Sequence, residues 1–204
     1  MNQYCAIIIL AKAPVAGLAK TRLIPALGAQ GAAMLAQRML DETLAAATNA
    51  DVGPVTLSCT PDVHHLAFAA AARRYGIALT EQGEGDLGVR MHRALTTALQ
   101  SCAAAIVIGT DCPTLNAVQL QLAAHALQSA PAVFIPATDG GYVLAGLARP
   151  MPTLFESIAW STDAVMAQTR ERLAQIGVIA AELPPMQDID LPADLIHLPP
   201  EWME

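Results

Sequence analysis

Residues 4–23, YCAIIILAKAPVAGLAKTRL, join an apolar run to a loop that concentrates positive charge. Tyr4–Leu10 is continuous and rich in isoleucine, which is typical of a central strand buried on both faces. The following loop contains both lysines of the 204-residue chain, Lys12 and Lys20, together with Arg22. Three cations and a glycine after such a strand predict binding of a polyanion, most simply a nucleotide's phosphates. The alternative is that a chain poor in lysine places two of them together by chance.

The composition indicates a globular protein with one large core. Hydrophobic residues make up 54% of the chain and charged residues 14%, and 204 residues fit a single domain spanning 1–204. The low charge is also compatible with apolar surface buried between the subunits of a homo-oligomer. The net charge of −7 argues against nucleic acid or an acidic membrane surface as the main partner.

The cysteines and the amino terminus favour a cytoplasmic protein. The four cysteines form no CxxC pair and have no histidine at metal-ligand spacing, which predicts buried thiols rather than a zinc site. The apolar run at residues 5–11 follows no basic region and is too short for a signal peptide or a membrane span.

Strand-like and helix-like segments alternate along the chain, which predicts an α/β fold with a mostly parallel sheet and helices on both faces. The strand after the Asp-Gly-Gly turn is expected to run antiparallel to its predecessor. Residues 188–204 are expected to form a carboxyl-terminal tail over the surface. The predicted strands are Tyr4–Leu10, Val55–Cys59, Ile77–Thr80, Ala105–Ile108, Val133–Ile135, Tyr142–Leu147 and Val178–Leu183. The predicted helices are Gly28–Asn49, Val63–Tyr75, one from the loop at 83–88 to about Gln100, Ala117–Gln128, and one capped by Ser161 or Thr162 that ends near Gly177.

Ligands of such folds bind in the crevice at the carboxyl ends of the strands. The loop after the first strand is not a Walker A loop, because Ala19 replaces the glycine before Lys20 and Pro25 argues against a helix starting at Thr21. With Gly17 as its one glycine, the loop also lacks a G-x-G-x-x-G turn. Phosphate binding there would depend mainly on side-chain charge.

Aspartates follow the later predicted strands. Asp111 offers a hard oxygen ligand suited to Mg²⁺ or Mn²⁺, and Asp139 precedes two glycines that allow close backbone approach to a ligand. Simpler interpretations stay open, since Asp111 could cap a helix and Asp139 could belong to a plain turn. Asp188 and Asp190 would point to the same side of an extended segment, although Asp190 could instead cap a last helical turn.

Six segments that together extend over nearly the whole chain carry a family resemblance. They are AKAPVAGLAKTRL (11–23), GDLGVRM (85–91), GTDCPTL (109–115), PATDGGYVLAGL (136–147), WSTDAV (160–165) and DIDLPADL (188–195). They resemble, in order, the motifs of a bacterial family of candidate glycosyltransferases in the glycosyltransferase A-like, nucleotide-diphospho-sugar transferase superfamily. The resemblance implies a three-layer αβα sandwich, Rossmann-like and of the glycosyltransferase A type, with a nucleotide cleft at the carboxyl edge of a mixed sheet.

The resemblance also implies roles for individual residues. Asp111 and Asp190 would hold Mg²⁺ or Mn²⁺, and catalysis would involve Asp111, Asp139, Lys20 and Arg22. The implied nucleotide-binding residues are Lys12, Pro14, Gly17, Lys20, Arg22, Asp86, Leu87 and Gly88. The implied substrate-binding residues are Asp139, Gly140, Gly141, Tyr142, Trp160, Ser161 and Thr162.

One departure from the glycosyltransferase pattern leaves the reaction open. Glycosyltransferases of this fold usually have Asp-x-Asp after the central strand, whereas this chain has Asp111-Cys-Pro113. That motif, the Lys/Arg loop and the late Asp190-x-Pro-x-Asp194 are more similar to nucleotidyltransferases, including the guanylyltransferases of deazaflavin-cofactor synthesis. In those enzymes a late aspartate completes the metal site, and Asp190 is its counterpart here.

Three functions are therefore considered. The first is a metal-dependent transferase that uses a nucleotide-sugar donor and a small-molecule acceptor. The second is a nucleotidyltransferase that joins an NTP to a phosphorylated or carboxylated acceptor and releases pyrophosphate. The third is a nucleotide-binding protein without catalysis, against which an intact Asp111 counts.

Overall fold

The isoleucine-rich first strand lies inside a seven-stranded sheet in a computed structural model that describes residues 4–202. The strands, numbered along the chain, are β1 Cys5–Lys12, β2 Val55–Thr60, β3 Ala78–Glu81, β4 Ala104–Ile108, β5 Ala132–Pro136, β6 Tyr142–Leu147 and β7 Ala181–Glu182. Their order across the sheet is β3-β2-β1-β4-β6-β5-β7. Helices cover both faces of the sheet at β1, which explains why its side chains on both faces are apolar.

The sheet is mixed and mostly parallel, as predicted. β1 pairs in parallel with β2 and β4, β2 with β3, and β5 with β7. β6 lies antiparallel between β4 and β5, which confirms the orientation expected after the Asp-Gly-Gly turn. The last strand is shorter than predicted because Val178 caps the preceding helix: its amide donates to the carbonyl of Leu173 across Gly177, whose φ is +65°.

Helices cover both faces of the sheet and complete the predicted three-layer αβα architecture. Alternate residues of β1 enter the two cores, with Ile7 and Ile9 packed in one and Ile8 in the other. The first core includes residues of α1, α2 and α4, and the second includes residues of α3 and α5. The helices are α1 Ile24–Asn49, α2 Leu66–Tyr75, α3 Leu87–Ala98, α4 Ala117–Ala126 and α5 Val165–Gln175.

Three helix starts differ from the prediction. α2 begins at Leu66 rather than Val63, after a cap by His65, whose side chain accepts the amide of Ala67. A 3₁₀ turn at Thr21–Leu23 leads directly into α1, so the expectation that Pro25 prevents a helix start was wrong. α1 is kinked at the predicted start, Gly28, whose φ of 69° and ψ of 166° are not helical. Proline is tolerated in the first turn because the N–H it lacks would have no partner there. α5 begins at Val165 rather than after a cap by Ser161 or Thr162, since Thr162 turns back and donates to the carbonyl of Ala159.

The carboxyl-terminal segment packs against α1. Ile189 and Leu198 are buried with Leu23 and Met39, and the guanidinium of Arg38 lies 4.5 Å from the centre of the Trp202 ring. The last two residues of the predicted tail, 203–204, lie outside the described residues.

Two further expectations can be compared with the structure. The four cysteines are unpaired and buried, as predicted. None of the helices within residues 4–202 combines the length and apolar character needed to cross a membrane.

Candidate functional site

A cavity of about 730 Å³ lies at the carboxyl ends of β1 and β4, where parallel sheets place their ligand sites. It is lined by residues from the loops after β1, β3 and β4, the turn before β6, and the segment after β7. Twelve of the predicted site residues line it. They are Lys12, Lys20, Arg22, Leu87, Asp111, Asp139, Gly141, Tyr142, Trp160, Ser161, Thr162 and Asp190.

Lys20 joins three separate parts of the chain at this cavity. Its ammonium lies 2.6 Å from Oδ1 of Asp111, in the loop after β4, and it donates to the carbonyl of Ile189 in the carboxyl-terminal segment. The side chain of Lys20 is only 7% exposed, whereas that of Asp111 is 54% exposed. An ammonium has three donors, so one donor of Lys20 remains for a ligand.

The backbone of Lys20 adopts the left-handed conformation, with φ of 46° and ψ of 45°. This conformation is costly for a residue with a β-carbon, by about 1–2 kcal/mol. The buried neighbours Ala19 and Leu23 and the two side-chain contacts of Lys20 hold it in place. A strained residue that aims a buried cation into a cavity is characteristic of functional sites.

The segment after β7 adds carboxylates to the same cavity. The amide of Ile189 donates to the carbonyl of Asp111 at 2.8 Å, which places Asp188 and Asp190 beside the loop after β4. Asp190 accepts a hydrogen bond from Arg22 at 2.5 Å, and both side chains are partly exposed, 39% and 58% respectively. Arg22 and Asp190 therefore form an ion pair at the rim of the cavity.

Asp188 lies in a more negative environment than Asp190. Burial, followed by the negative charges of Asp139, Asp111 and Asp194, raises the pKa of its carboxyl to about 6. Among the described residues no ion pair to Asp188 is present, in contrast to Asp111 and Asp190. Asp188 is thus the carboxylate at this site that would gain most from an added cation.

The turn between β5 and β6 is shaped by Asp139 and its two glycines. Oδ1 of Asp139 accepts the amide of Gly141 at 2.8 Å, which fixes the turn and leaves the second oxygen available. Gly140 has φ of +94°, and a β-carbon there would lie 2.2 Å from the carbonyl oxygen of Asp163. Gly140 therefore brings the loop before α5 against this turn rather than lining the cavity.

Aromatic rings form the wall beside that turn. The Tyr142 and Trp160 rings meet edge to face, with centroids 6.4 Å apart. A β-carbon at Gly88 would lie 2.6 Å from the Trp160 ring, so Gly88 permits α3 to pack against it. Within residues 4–202 the buried indole N–H of Trp160 has no hydrogen-bond partner. The ring is consequently held in place by packing.

Five of the predicted residues lie next to the cavity without lining it. Gly17, with φ of +83°, and Pro14 belong to the bend of the loop after β1. Asp86 caps α3 by accepting the amide of Val89 at 2.9 Å. Gly88 and Gly140 have the packing positions described above. In this structure all five residues shape or pack the segments around the cavity.

Gln82, Arg90 and Asp188 also line the cavity but were absent from the predicted site. Gln82 directly follows β3, so the rule that ligands bind at strand ends could have identified it. Asp188 was recognised as sharing a side with Asp190, but spacing alone cannot show which of the two has a nearby cation. Arg90 lies on α3 within the segment GDLGVRM that carries the family resemblance, so that segment could have identified it, although no role was assigned to it there.

The carboxylates that line the cavity are potential oxygen ligands for Mg²⁺ or Mn²⁺. In the part of the chain that the structure describes, no group of three or more His, Cys, Asp or Glu side chains is arranged to hold a metal ion. Mg²⁺ is, however, commonly bound by one or two carboxylates together with substrate phosphates. Asp111, Asp190 and the charge-crowded Asp188 could supply such carboxylates. Lys20 already pairs with Asp111 and Arg22 with Asp190, whereas Asp188 has no ion pair among the described residues.

We expect Asp188→Asn to raise the free energy of unfolding by roughly 1 kcal/mol at pH 7.5, after allowance for partial solvent exposure. The folded pKa of about 6 lies above the ordinary value of 3.8, so the ionised carboxylate of Asp188 destabilises the fold. This penalty builds up between these two pH values and is fully present above pH 6. The gain should therefore shrink as the pH falls from 7.5 to 4.5. Urea denaturation in EDTA at both pH values measures it, and an equal difference at both would contradict the assignment.

The chain is similar in sequence to a protein family and to a named relative. The family described as "Uncharacterized protein conserved in bacteria (DUF2064)" matches residues 43–162, more than half of the chain. A phosphoenolpyruvate guanylyltransferase from Mycolicibacterium gilvum (strain PYR-GCK) is 32% identical over 127 residues, 60% of this chain. The chain covers 58% of the length of that relative.

Solved structures share the fold. The crystal structure of a candidate nucleotide-diphospho-sugar transferase from Desulfovibrio desulfuricans G20 has a TM-score of 0.85 and 27% identity, covering 95% of this chain and 85% of that one. A 4-diphosphocytidyl-2C-methyl-D-erythritol synthase from Anaerococcus prevotii DSM 20548 has a TM-score of 0.64 and 10% identity over 99% of both chains. The expected relation to the nucleotide-diphospho-sugar transferase superfamily is thereby confirmed, and the chain belongs to the bacterial DUF2064 family.

Proposed function

We propose that the protein is a nucleotidyltransferase, which joins the nucleotide of an NTP to a phosphorylated or carboxylated small molecule and releases pyrophosphate. The observation that carries the proposal is the ion pair between the buried Lys20 and Asp111, at a cavity where the cations after β1 face the carboxylates after β4 and β7. Phosphoryl-group transfer depends mainly on positioning and on neutralising charge, and this arrangement supplies both.

In the proposed reaction an acceptor oxygen attacks the α-phosphorus of the NTP. The bond between that phosphorus and the oxygen leading to the β-phosphate breaks, and its electron pair leaves with pyrophosphate. The third donor of Lys20, the remaining donors of Arg22 and the ammonium of Lys12 would stabilise the negative charge that develops on the pyrophosphate. In the alternative glycosyl transfer, Asp139, whose second oxygen is unused by the turn, would orient the attacking hydroxyl of the acceptor.

Asp111 and Asp188 would hold Mg²⁺ or Mn²⁺, which when bound supplies positive charge to the phosphate oxygens. Lys20 then has a second role, since its contact with Asp111 fixes the direction of that carboxylate. The contact between Lys20 and the carbonyl of Ile189 fixes the segment that carries Asp188. One buried side chain thus orients both proposed ligand residues.

Two observations favour nucleotidyl transfer over glycosyl transfer. The loop after β4 carries Asp111-Cys-Pro113 rather than a pair of aspartates, and the guanylyltransferase relative is similar over 60% of the chain. The name of that relative supports a phosphorylated carboxylate as the acceptor. We include in the proposal a cytoplasmic location, in keeping with four unpaired buried thiols, and no nucleic-acid partner.

Pyrophosphate release tests the proposal directly. The protein is incubated with single NTPs, Mg²⁺ or Mn²⁺, and acceptors that include phosphoenolpyruvate, and released pyrophosphate is measured by a coupled assay. We expect release only when an NTP, an acceptor and a metal ion are all present. Omission of the acceptor, or addition of EDTA, is the matched control for each reaction. Absence of pyrophosphate across the panel would sink the proposal.

Glycosyl transfer from a nucleotide sugar is the second candidate. It is supported by the 27% identity and the TM-score of 0.85 to the structure from Desulfovibrio desulfuricans G20. In that reaction the same cations would neutralise a departing nucleoside diphosphate. Release of UDP or GDP from a nucleotide sugar, without pyrophosphate release from any NTP, would select this candidate over the first.

A further inference from the structure

Two pairs of a cation and a carboxylate at the cavity differ in how firmly they are held. Lys20, which pairs with Asp111, is only 7% exposed and also donates to a backbone carbonyl. Arg22 and Asp190 are 58% and 39% exposed, and one hydrogen bond of 2.5 Å joins their side chains. An exposed ion pair contributes little free energy because solvent screens it and both side chains lose freedom. Arg22 and Asp190 can therefore change partners at little cost.

The segment that carries Asp190 is fixed without the help of Arg22. The preceding residue, Ile189, is fully buried against α1, and its amide and its carbonyl are both used in the contacts described above. On the other side, Oδ2 of Asp194 accepts the amides of Asp190 and Leu191 at 3.0 and 2.7 Å. The backbone of Asp190 therefore stays beside the cavity when the contact with Arg22 is lost.

Arg22 can likewise turn to a ligand without a movement of its loop. It belongs to the 3₁₀ turn Thr21–Leu23, in which Leu23 is fully buried with residues of α1. One of the five N–H donors of the guanidinium contacts Asp190, so four remain. A phosphate group offers a guanidinium two oxygens and a strong negative charge. We therefore expect a phosphate to displace the single carboxylate contact.

Release of Arg22 would change the charge on the carboxylate side of the cavity. Asp111, Asp139 and Asp188 line the same cavity as Asp190, and among the described residues Asp188 has no ion pair. While Arg22 is in place, it neutralises Asp190 and competes with a metal ion for that carboxylate. Once Arg22 has left, Asp190 adds an uncompensated negative charge to this group, and a divalent cation is attracted more strongly.

We propose that Arg22 and Asp190 form an exchangeable ion pair that couples binding of the triphosphate to binding of the divalent cation. In the ligand-free protein the pair keeps both partners occupied. A bound triphosphate draws Arg22 away and leaves Asp190 to the metal ion, and a metal ion on Asp190 leaves Arg22 to the phosphates. Each ligand therefore strengthens binding of the other by the same factor. This inference rests on the proposed metal-assisted binding of a nucleotide, and it holds for either transfer reaction.

Titration with Mn²⁺ alone tests the ion pair without nucleotide or turnover. Free Mn²⁺ is followed by electron paramagnetic resonance for the wild-type protein, Arg22→Met, Asp190→Asn and the double variant. We expect Arg22→Met to bind Mn²⁺ about 5-fold more tightly than the wild type, because it removes the cation that competes for Asp190. If Arg22 only held Asp190 in place for the metal ion, the substitution would weaken Mn²⁺ binding, and the inference would be overturned.

The double variant separates exchange from a general effect of charge. In the Asp190→Asn background no carboxylate is released, so Arg22→Met should change the Mn²⁺ affinity by less than about 2-fold. Lys12→Met is the matched control, because Lys12 lines the same cavity and makes no ion pair among the described residues. Its effect should be the same in both backgrounds. An equal gain for Arg22→Met in both backgrounds would mean that only net charge matters, which overturns the inference.

Binding of tripolyphosphate in EDTA tests the reverse direction of the coupling. Asp190→Asn frees Arg22 from its carboxylate, so calorimetry should show binding about 5-fold tighter than that of the wild type. The gain should be lost in the double variant, which has no Arg22 to release. Both side chains are partly exposed, so thermal unfolding should show that all variants are folded. Unchanged or weaker tripolyphosphate binding by Asp190→Asn would contradict the exchange.

The two proposals can fail separately. The expected pattern of binding without pyrophosphate release from any NTP would leave the coupling intact and remove nucleotidyl transfer. Pyrophosphate release by a protein in which Arg22→Met and Asp190→Asn act independently on Mn²⁺ binding would support nucleotidyl transfer and overturn the coupling. If neither Mn²⁺ nor tripolyphosphate binds, both proposals are wrong.

Discussion

Asp111→Asn is expected to lower the rate of pyrophosphate release by about 10²- to 10³-fold, the loss typical for removal of one group that stabilises charge in a transition state. Asparagine keeps the size of the side chain and an oxygen that can accept from Lys20, but it removes the charge that a metal ion requires. The Asp111 side chain is 54% exposed, so the fold should survive. The rate is measured at saturating NTP and metal, and thermal unfolding is measured in parallel.

Asp51→Asn is the matched control for this substitution. Asp51 lies in an exposed turn after α1 and has φ of +48°, a conformation that asparagine also adopts readily. It should release pyrophosphate at the wild-type rate. If Asp111→Asn also retains that rate, or an unchanged dependence on metal, then Asp111 is not part of the metal site.

Lys20→Met should weaken binding of the preferred triphosphate by about 10- to 100-fold, since a hydrogen bond to a charged group is worth roughly 1.5–3 kcal/mol. The substitution should have little effect on binding of the corresponding nucleoside, because the Lys20 ammonium contacts only phosphate in the proposed complex and a nucleoside has no phosphate. Methionine retains much of the apolar stem, which limits the loss of packing at this largely buried position. Titration calorimetry with both ligands measures the difference.

Arg22→Met provides a graded comparison. Arg22 is 58% exposed and already paired with Asp190, so its loss should weaken triphosphate binding less than the loss of Lys20. An equal reduction for triphosphate and nucleoside in Lys20→Met would show that the substitution disturbs the whole cavity. In that case Lys20 would be a structural residue at the junction of three loops.

The elements that sequence reasoning predicted best are those with a strong pattern of their own. β1 and the central strands β4 and β5 are continuous apolar runs, and their burial on both faces requires little tertiary information. The errors lie at element ends. The start of α1 and the shortening of β7 depend on which backbone groups find partners, such as the amide of Val178 on the carbonyl of Leu173, and the pattern of apolar residues does not reveal these partners.

The sequence predicted the location of the candidate site but not the contacts within it. Lys12, Lys20 and Asp111 could be placed together because parallel strands bring their carboxyl ends to one edge. The spacing of residues along the sequence could not show which side chains form ion pairs with these residues. Whether Asp188 or Asp190 would face Arg22 depends on how Ile189 is buried. The contact between Gln82 and Arg90 depends on how α3, which packs against β4 and β1, brings Arg90 to the residue that follows β3.

The sequence by itself determined the α/β architecture and the presence of a cationic loop at the edge of the sheet, because periodicity, burial and strand-end chemistry are local properties. The tertiary structure decided which charged side chains form ion pairs with one another. It buried Lys20 against Asp111, paired Arg22 with Asp190, left Asp188 among like charges, and supported Arg90 on Gln82. Electrostatic energies depend on distance and burial, which arise only when residues separated by as many as 169 positions are packed together.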